Sequence, residues 1–106
     1  MNVLIPSNRG YVYLKTSQIM FCKDKGSYTE VYMYNGHVYN TLLTLKKLTE
    51  KIEDASFYRC HRSFLINFDF VTSIKGCFSG VKLNDHFEVP VSRKMKTRMQ
   101  KDLMAS

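Results

Sequence analysis

A chain of 106 residues with formal charge +7 and pI about 9.4 is one domain, 1–106, long enough to bury roughly 65% of its unfolded surface around a single core. At 44% hydrophobic and 24% charged it is not a disordered composition. It shows no signal-peptide core and no apolar run near the ~18 residues of a membrane span, so a cytoplasmic, reducing setting without membrane attachment is expected. The basic balance favours an anionic partner, with nucleic acid ahead of an acidic membrane surface or an acidic protein.

In chain order, Val3-Leu4-Ile5 is a short apolar start, ended by the turn signal Pro6-Ser7-Asn8. Residues 11–14 alternate as a strand, Lys15-Thr16-Ser17 makes a corner, and Ile19-Met20-Phe21-Cys22 is a second strand. Residues 23–27 form a charged, glycine-containing loop. Residues 28–34 are the longest clear strand, with Thr29, Val31 and Met33 on one face and Tyr28, Glu30, Tyr32 and Tyr34 on the other. Asn35-Gly36 suits the two positive φ angles of a type I′ turn, so residues 28–41 are expected to be a hairpin.

Thr44 fits a helix N-cap, and Leu45, Leu48 and Ile52 form one apolar stripe. Lys46, Lys47 and Lys51 fall off it, on a solvated face. Strand-like alternation returns at Phe57-Tyr58-Arg59-Cys60, is interrupted by His61-Arg62-Ser63, and resumes at Phe64-Leu65-Ile66. This is a basic elbow between two short strands, a rigid mount for guanidinium groups. Guanidinium suits phosphate oxygens and the guanine O6/N7 edge. Residues 69–75 read as strand with Phe70 or Val71, then Ile74, inward. Gly76 and Gly80 bracket a turn, and Asn84-Asp85 joins residues 81–83 to 87–91 as a second hairpin.

Ser92 is the expected N-cap of a last helix whose Met95, Met99 and Leu103 recur every four residues. Arg93, Lys94, Lys96, Arg98 and Lys101 crowd it against only Asp102. Cations in a first turn oppose the helix dipole by roughly 0.3–1 kcal/mol each when exposed. That placement suggests an external anion, for which free amides at a helix start are also suited.

The three cysteines (Cys22, Cys60, Cys77) have no C-x-x-C spacing, and His37, His61 and His86 are isolated, so no metal or other cofactor is expected. The cysteines read as small buried hydrophobes, with a thiolate at Cys60, beside Arg59 and His61, as the lesser alternative. No nucleophile–base pair, carboxylate pair or phosphate-binding glycine loop is visible, which argues against an enzyme.

Arg-Cys-His-Arg-Ser-Phe-Leu-Ile-Asn at 59–67 resembles the signature of LytTR-type DNA-binding domains, the output modules of many bacterial response regulators. Pro-Val-Ser-Arg at 90–93 resembles the family's step into its last helix. Ile19-x-Phe21, Gly26-Ser27-Tyr28, Thr-Leu-x-x-Leu at 44–48 and the Asn-Gly hairpin agree in order and spacing. Cys22-Lys23 departs, since the family commonly carries an acidic residue there. The resemblance implies a mostly β fold: an elongated set of three short antiparallel sheets with two small α-helices. It also implies binding of double-stranded DNA, with loops rather than a recognition helix entering successive major grooves.

Carried over by position, Arg62 and Arg93 are the candidates for base readout. Tyr28 is the third, with a phosphate as its alternative reach. Lys23, Lys25, Arg59, Lys94 and Lys96 are phosphate candidates. His61 is expected either to donate to a phosphate or to brace the elbow. Ser63 and Asn67 are read as structural turn residues. The resemblance further implies promoter direct repeats as targets, a weak monomer when alone, and either an excised effector domain, with a receiver domain in a longer native chain, or a stand-alone regulator. The rival readings are a protein-interaction β module using an exposed face of Tyr28, Tyr32 and Tyr34, and an RNA binder.

Overall fold

Among the described residues, 1–105, the computed structural model holds ten strands and two α-helices. In chain order these are β1 (Asn2–Ser7), β2 (Gly10–Lys15), β3 (Ile19–Asp24), β4 (Thr29–Met33), β5 (Val38–Thr41), α1 (Leu45–Lys51), β6 (Phe57–His61), β7 (Phe64–Asn67), β8 (Val71–Ile74), β9 (Gly80–Leu83), β10 (Phe87–Pro90) and α2 (Arg93–Met104). They form a two-stranded sheet β1-β2, a five-stranded sheet β5-β4-β3-β7-β6 and a three-stranded sheet β10-β9-β8, with every pairing antiparallel. The molecule is elongated, 42 × 24 × 23 Å. This is the mostly β, three-sheet architecture that the resemblance implied.

The five-stranded sheet is the middle layer, because its strands are apolar on both faces. Val31 and Met33 of β4, Cys22 of β3 and Leu65 of β7 pack against Val3, Ile5 and Leu14 of the first hairpin and Leu45, Leu48 and Ile52 of the first helical segment. On the other face Phe21, Cys60 and Ile66 meet Val81, Leu83 and Val89 of the third sheet and Met99 of α2. β3 serves both cores through a bulge: its register against β4 shifts between Ile19 and Phe21. Ile19 and Cys22 therefore face the first core, while Met20 and Phe21 face the second.

Both expected helix caps form. Thr44 Oγ1 accepts from Lys47 N at 3.1 Å and Ser92 Oγ from Met95 N at 3.2 Å. Each contributes about 1 kcal/mol by satisfying an amide the helix itself leaves unpaired. The stripe of α2 fades toward its end: Met99 is fully buried, whereas Leu103 is 38% exposed.

Several local expectations are corrected. β1 does not stop at Pro6: Pro6 pairs opposite Tyr11, and the turn lies at Asn8 and Arg9. An outer strand tolerates a proline whose missing N–H faces away from its partner. Lys23 and Asp24 belong to β3, not to the loop. The Asn35–Gly36 turn has only one positive φ, at Gly36 (+89°), and is held by Met33 N donating to His37 O at 2.8 Å. The two-residue geometry with both φ positive occurs instead at Asn84 (52°) and Asp85 (59°), closed by His86 N donating to Leu83 O.

Residues 68–70 are a 3-10 turn, so β8 starts at Val71, and Ile74 is exposed rather than inward. The exposed tyrosine face does not form as a unit. Tyr32 stacks flat on Phe21, with ring centroids 4.3 Å apart, and Tyr28 is half-buried.

Candidate nucleic-acid interface

Antiparallel pairing brings three turns to one end of the middle sheet: loop 25–28 after β3, the elbow 62–63 between β6 and β7, and the exit of β5. Two backbone bonds tie the basic stretches together. Asp24 N donates to Ser63 O at 2.9 Å, which joins the first loop to the elbow. Ser92 N donates to Cys60 O at 2.9 Å, which seats the start of α2 against β6 just before the elbow.

The elbow is braced from within. The β6–β7 register shifts between Tyr58 and His61, a bulge that aims the turn. Arg59 Nη2 donates to the Arg62 carbonyl at 2.6 Å, and Arg59 Nε is buried without a partner among the described residues. Ser63 N donates to His61 Nδ1 at 3.0 Å, so a neutral His61 carries its proton on Nε2. The His61 ring stands edge-on to Phe64. Arg62 itself is exposed, and its guanidinium makes no hydrogen bond or ion pair among the described residues.

Asn67 is fully buried at the end of β7 away from the elbow, where it pairs opposite Phe57. Its Nδ2 donates to Ile19 O at 3.0 Å, and its Oδ1 accepts from Asp69 N at 3.0 Å. The first of these satisfies the Ile19 carbonyl, which lies beyond the last β3–β7 pair, Phe21 opposite Ile66.

In the first loop, Asp24 Oδ1 accepts from Gly26 N at 2.8 Å and Lys25 N donates to Tyr28 O at 2.9 Å, with Gly26 at φ +94°. Lys25 is exposed. Lys23, half-buried, holds its ammonium 5.8 Å from the Phe64 ring centroid, which places this cation beside the elbow.

At the third position, the first turn of α2 contains no acidic residue. Arg93 and Lys94 are exposed; Lys96, half-buried, is one turn on from Arg93 and on the same side of the helix. Tyr58 OH donates to Asp102 at 3.3 Å and fastens the far part of α2 to β6. Burial, then the Asp102 carboxylate, pushes the Tyr58 phenol up. The only ion pair among the described residues is Lys75–Glu88, outside all three stretches, so their cations are not neutralised by the protein. Sequence reading missed two features: the brace from Arg59 to the elbow carbonyl, and the contact of Lys23 with Phe64. An Arg three residues before an Arg, spanning a tight turn, was the available signal for the first.

Cys60 is corrected. It is fully buried, its Sγ approaches Pro90 O at 3.6 Å, and burial pushes its thiol up to about 12, as it does that of Cys22. Desolvation outweighs the basic neighbours, because their charges sit outside the core. Alkylation of the folded protein at pH 8 should therefore modify exposed Cys77 and spare Cys22 and Cys60; rapid labelling of Cys60 would contradict this burial. Against about 9 in the unfolded chain, folded thiols near 12 support the fold fully below pH 9. That support is lost as pH rises through 12.

The sequence pattern of the LytTr DNA-binding domain matches residues 9–104. The chain is 35% identical over 82 residues to the Sensory transduction protein LytT of Oceanobacillus iheyensis, covering 73% of this chain and 33% of that protein. It is 27% identical over 93 residues to the protein of the same name from Bacillus subtilis (strain 168), covering 85% and 38%. The chain thus spans about a third of the length of these curated relatives. Its fold matches the solved LytTr DNA-binding domain of a Bacillus cereus protein described as a methyl-accepting/DNA response regulator, with TM-score 0.79 and 24% identity over 96% of this chain and 95% of that one. No helix among the described residues is long and apolar enough to cross a membrane. With a sequence match over nearly its whole length and a matching three-sheet fold, the chain belongs to the LytTr DNA-binding domain family.

Proposed function

We propose that this domain binds double-stranded DNA sequence-specifically, as the DNA-reading part of a bacterial transcriptional regulator working in the cytoplasm. The observation that carries this reading is the coupling of three basic stretches, the first loop, the elbow and the start of α2, through the Asp24–Ser63 and Ser92–Cys60 backbone bonds. Turns locked in this way present cations at fixed spacing, and fixed spacing is what register on a duplex requires.

Arg62 and Arg93 read guanine edges in successive major grooves, and Tyr28 reaches a base beside them. Lys23, Lys25, Lys94 and Lys96 hold phosphates. Arg59 retains N–H groups beyond the one given to the Arg62 carbonyl, and His61 retains Nε2–H. Both therefore brace the elbow and still offer a donor to the backbone.

The relatives are about three times longer, which supports a native chain with a receiver domain, acting in a two-component phosphorelay. Two copies then occupy paired repeats, brought together by the rest of the chain. Alone, the domain is a monomer. Sedimentation at micromolar concentration should return a mass near 12.4 kDa, and a stable dimer would overturn that part.

The test of the functional reading is a binding titration against salt on a selected duplex and on a scrambled one. Wild type should lose affinity with a log–log slope of several units. Lys94→Ala should weaken binding to both duplexes alike and reduce the slope by about 1. A flat salt dependence would contradict a nucleic-acid function.

A further inference from the structure

The family match begins at residue 9, so β1 and half of the first hairpin's tip lie outside it. That tip nevertheless stands beside the candidate interface. A cleft of about 410 Å³ opens at the end of the middle sheet, with Pro6, Ser7 and Asn8 on one side and Ser27, Tyr28 and Leu42 among the residues opposite. It therefore shares a wall with loop 25–28.

The chemistry of the cleft is distinctive. No carboxylate lines it. The side chains of Ser7, Asn8, Ser27 and Asn40 make no hydrogen bond among the described residues. The nearest acid by sequence, Glu30, stands opposite Asn40 in the ladder and is engaged by the Tyr32 hydroxyl, and Asp24, which lines the adjoining hollow, is engaged by the amide of Gly26. Leu42 is 79% exposed at the rim, an apolar ledge beside free hydroxyl and amide groups. Arg9, next to Asn8 at the tip, is exposed and has no ion pair among the described residues. Neutral donors, an apolar ledge and an unpaired guanidinium match the phosphate oxygens and deoxyribose faces of a nucleic-acid backbone.

We propose that this cleft holds the sugar–phosphate backbone of the bound duplex just beyond the bases met by loop 25–28, with Arg9 neutralising a phosphate there. The first hairpin is then a fourth DNA-contacting element. It adds affinity and register but reads no base. This inference rests on the DNA-binding reading.

The test uses the whole chain and a selected duplex with long flanks, together with versions shortened stepwise on either side. Wild type should show a salt slope that falls by about 1 when one particular flank is removed. Arg9→Ala should show the lower slope already, weaken cognate and scrambled duplexes equally, and be insensitive to removal of that flank. The conservative Arg9→Lys should restore most of the slope. Arg9→Ala matching wild type in affinity and slope, while wild type still binds the duplex, would overturn the fourth contact and leave the DNA reading standing. Loss confined to the cognate duplex would also overturn it, since it would make Arg9 a base reader. Wild type showing no salt-dependent binding to any duplex would instead remove the DNA reading itself.

Discussion

Arg62→Ala should cost about 1–3 kcal/mol of binding on the cognate duplex, a loss of roughly 5- to 150-fold, and far less on random duplex. The asymmetry follows from what the side chain does in the folded protein. Its guanidinium is exposed and has no partner among the described residues, so nothing in the fold depends on it. The elbow is held instead through the Arg62 carbonyl, which accepts from Arg59, and through Ser63, whose carbonyl and amide bond to Asp24 and His61. Alanine keeps every one of these backbone groups. Thermal unfolding of Arg62→Ala should therefore stay within about 0.5 kcal/mol of wild type, the usual range for an exposed substitution. Equal losses on cognate and random duplex would reduce Arg62 to a phosphate contact. A large loss of stability would show that the elbow needs the side chain.

Asn67→Ala has the opposite signature. It removes both bonds of a fully buried amide and leaves the Ile19 carbonyl and the Asp69 amide unpaired between the strands and the 3-10 turn. Leaving the buried Ile19 carbonyl unsatisfied costs about 1–3 kcal/mol, and the Asp69 amide, in an exposed residue that water reaches, adds less, so we expect about 2–3 kcal/mol of lost stability. Asn67→Asp should be worse at neutral pH, because a carboxylate accepts from Asp69 N but opposes the Ile19 carbonyl in a dry site. Chemical denaturation measures both. At temperatures where the variant is folded, its preference for cognate over random duplex should persist, since Asn67 lies at the opposite end of β7 from the elbow and has no surface of its own. A variant with unchanged stability and lost preference would place Asn67 at the DNA.

The outline of the fold was readable because it depends on short-range rules. Alternation gave the buried set Thr29, Val31 and Met33, and single hydroxyls marked both helix starts at Thr44 and Ser92. Errors arose where a tertiary partner overrode a local preference. Asn35-Gly36 was read as a two-residue turn, but the loop adopts a wider form with Asn35 Oδ1 accepting from His37 N. Tyr32 was assigned to an open face because alternation cannot reveal that the third sheet covers it, bringing Phe87 within 5.8 Å. The thiolate alternative for Cys60 rested on its basic sequence neighbours alone. In a strand those neighbours point to the other face, and the thiol lies in the core.

The candidate site divides along the same line. Its basic residues stand out in the sequence as composition and motif. Their mutual placement does not, because it rests on backbone bonds between residues 24 and 63 and between 60 and 92. Contacts of this kind between distant segments leave no periodic trace. The first hairpin's approach to loop 25–28 is another case, visible only once β1 is seen to run through Pro6 and carry its tip to Tyr28.

The most direct measurement is selection from a randomised duplex pool by the purified domain at near-physiological salt, run in parallel with an Arg62→Ala/Arg93→Ala variant. Wild type should enrich a short motif, and the variant, whose lysines still engage phosphates, should bind duplex without enrichment. The same motif enriched by both proteins, or none enriched by wild type, would contradict sequence reading through the elbow and the start of α2.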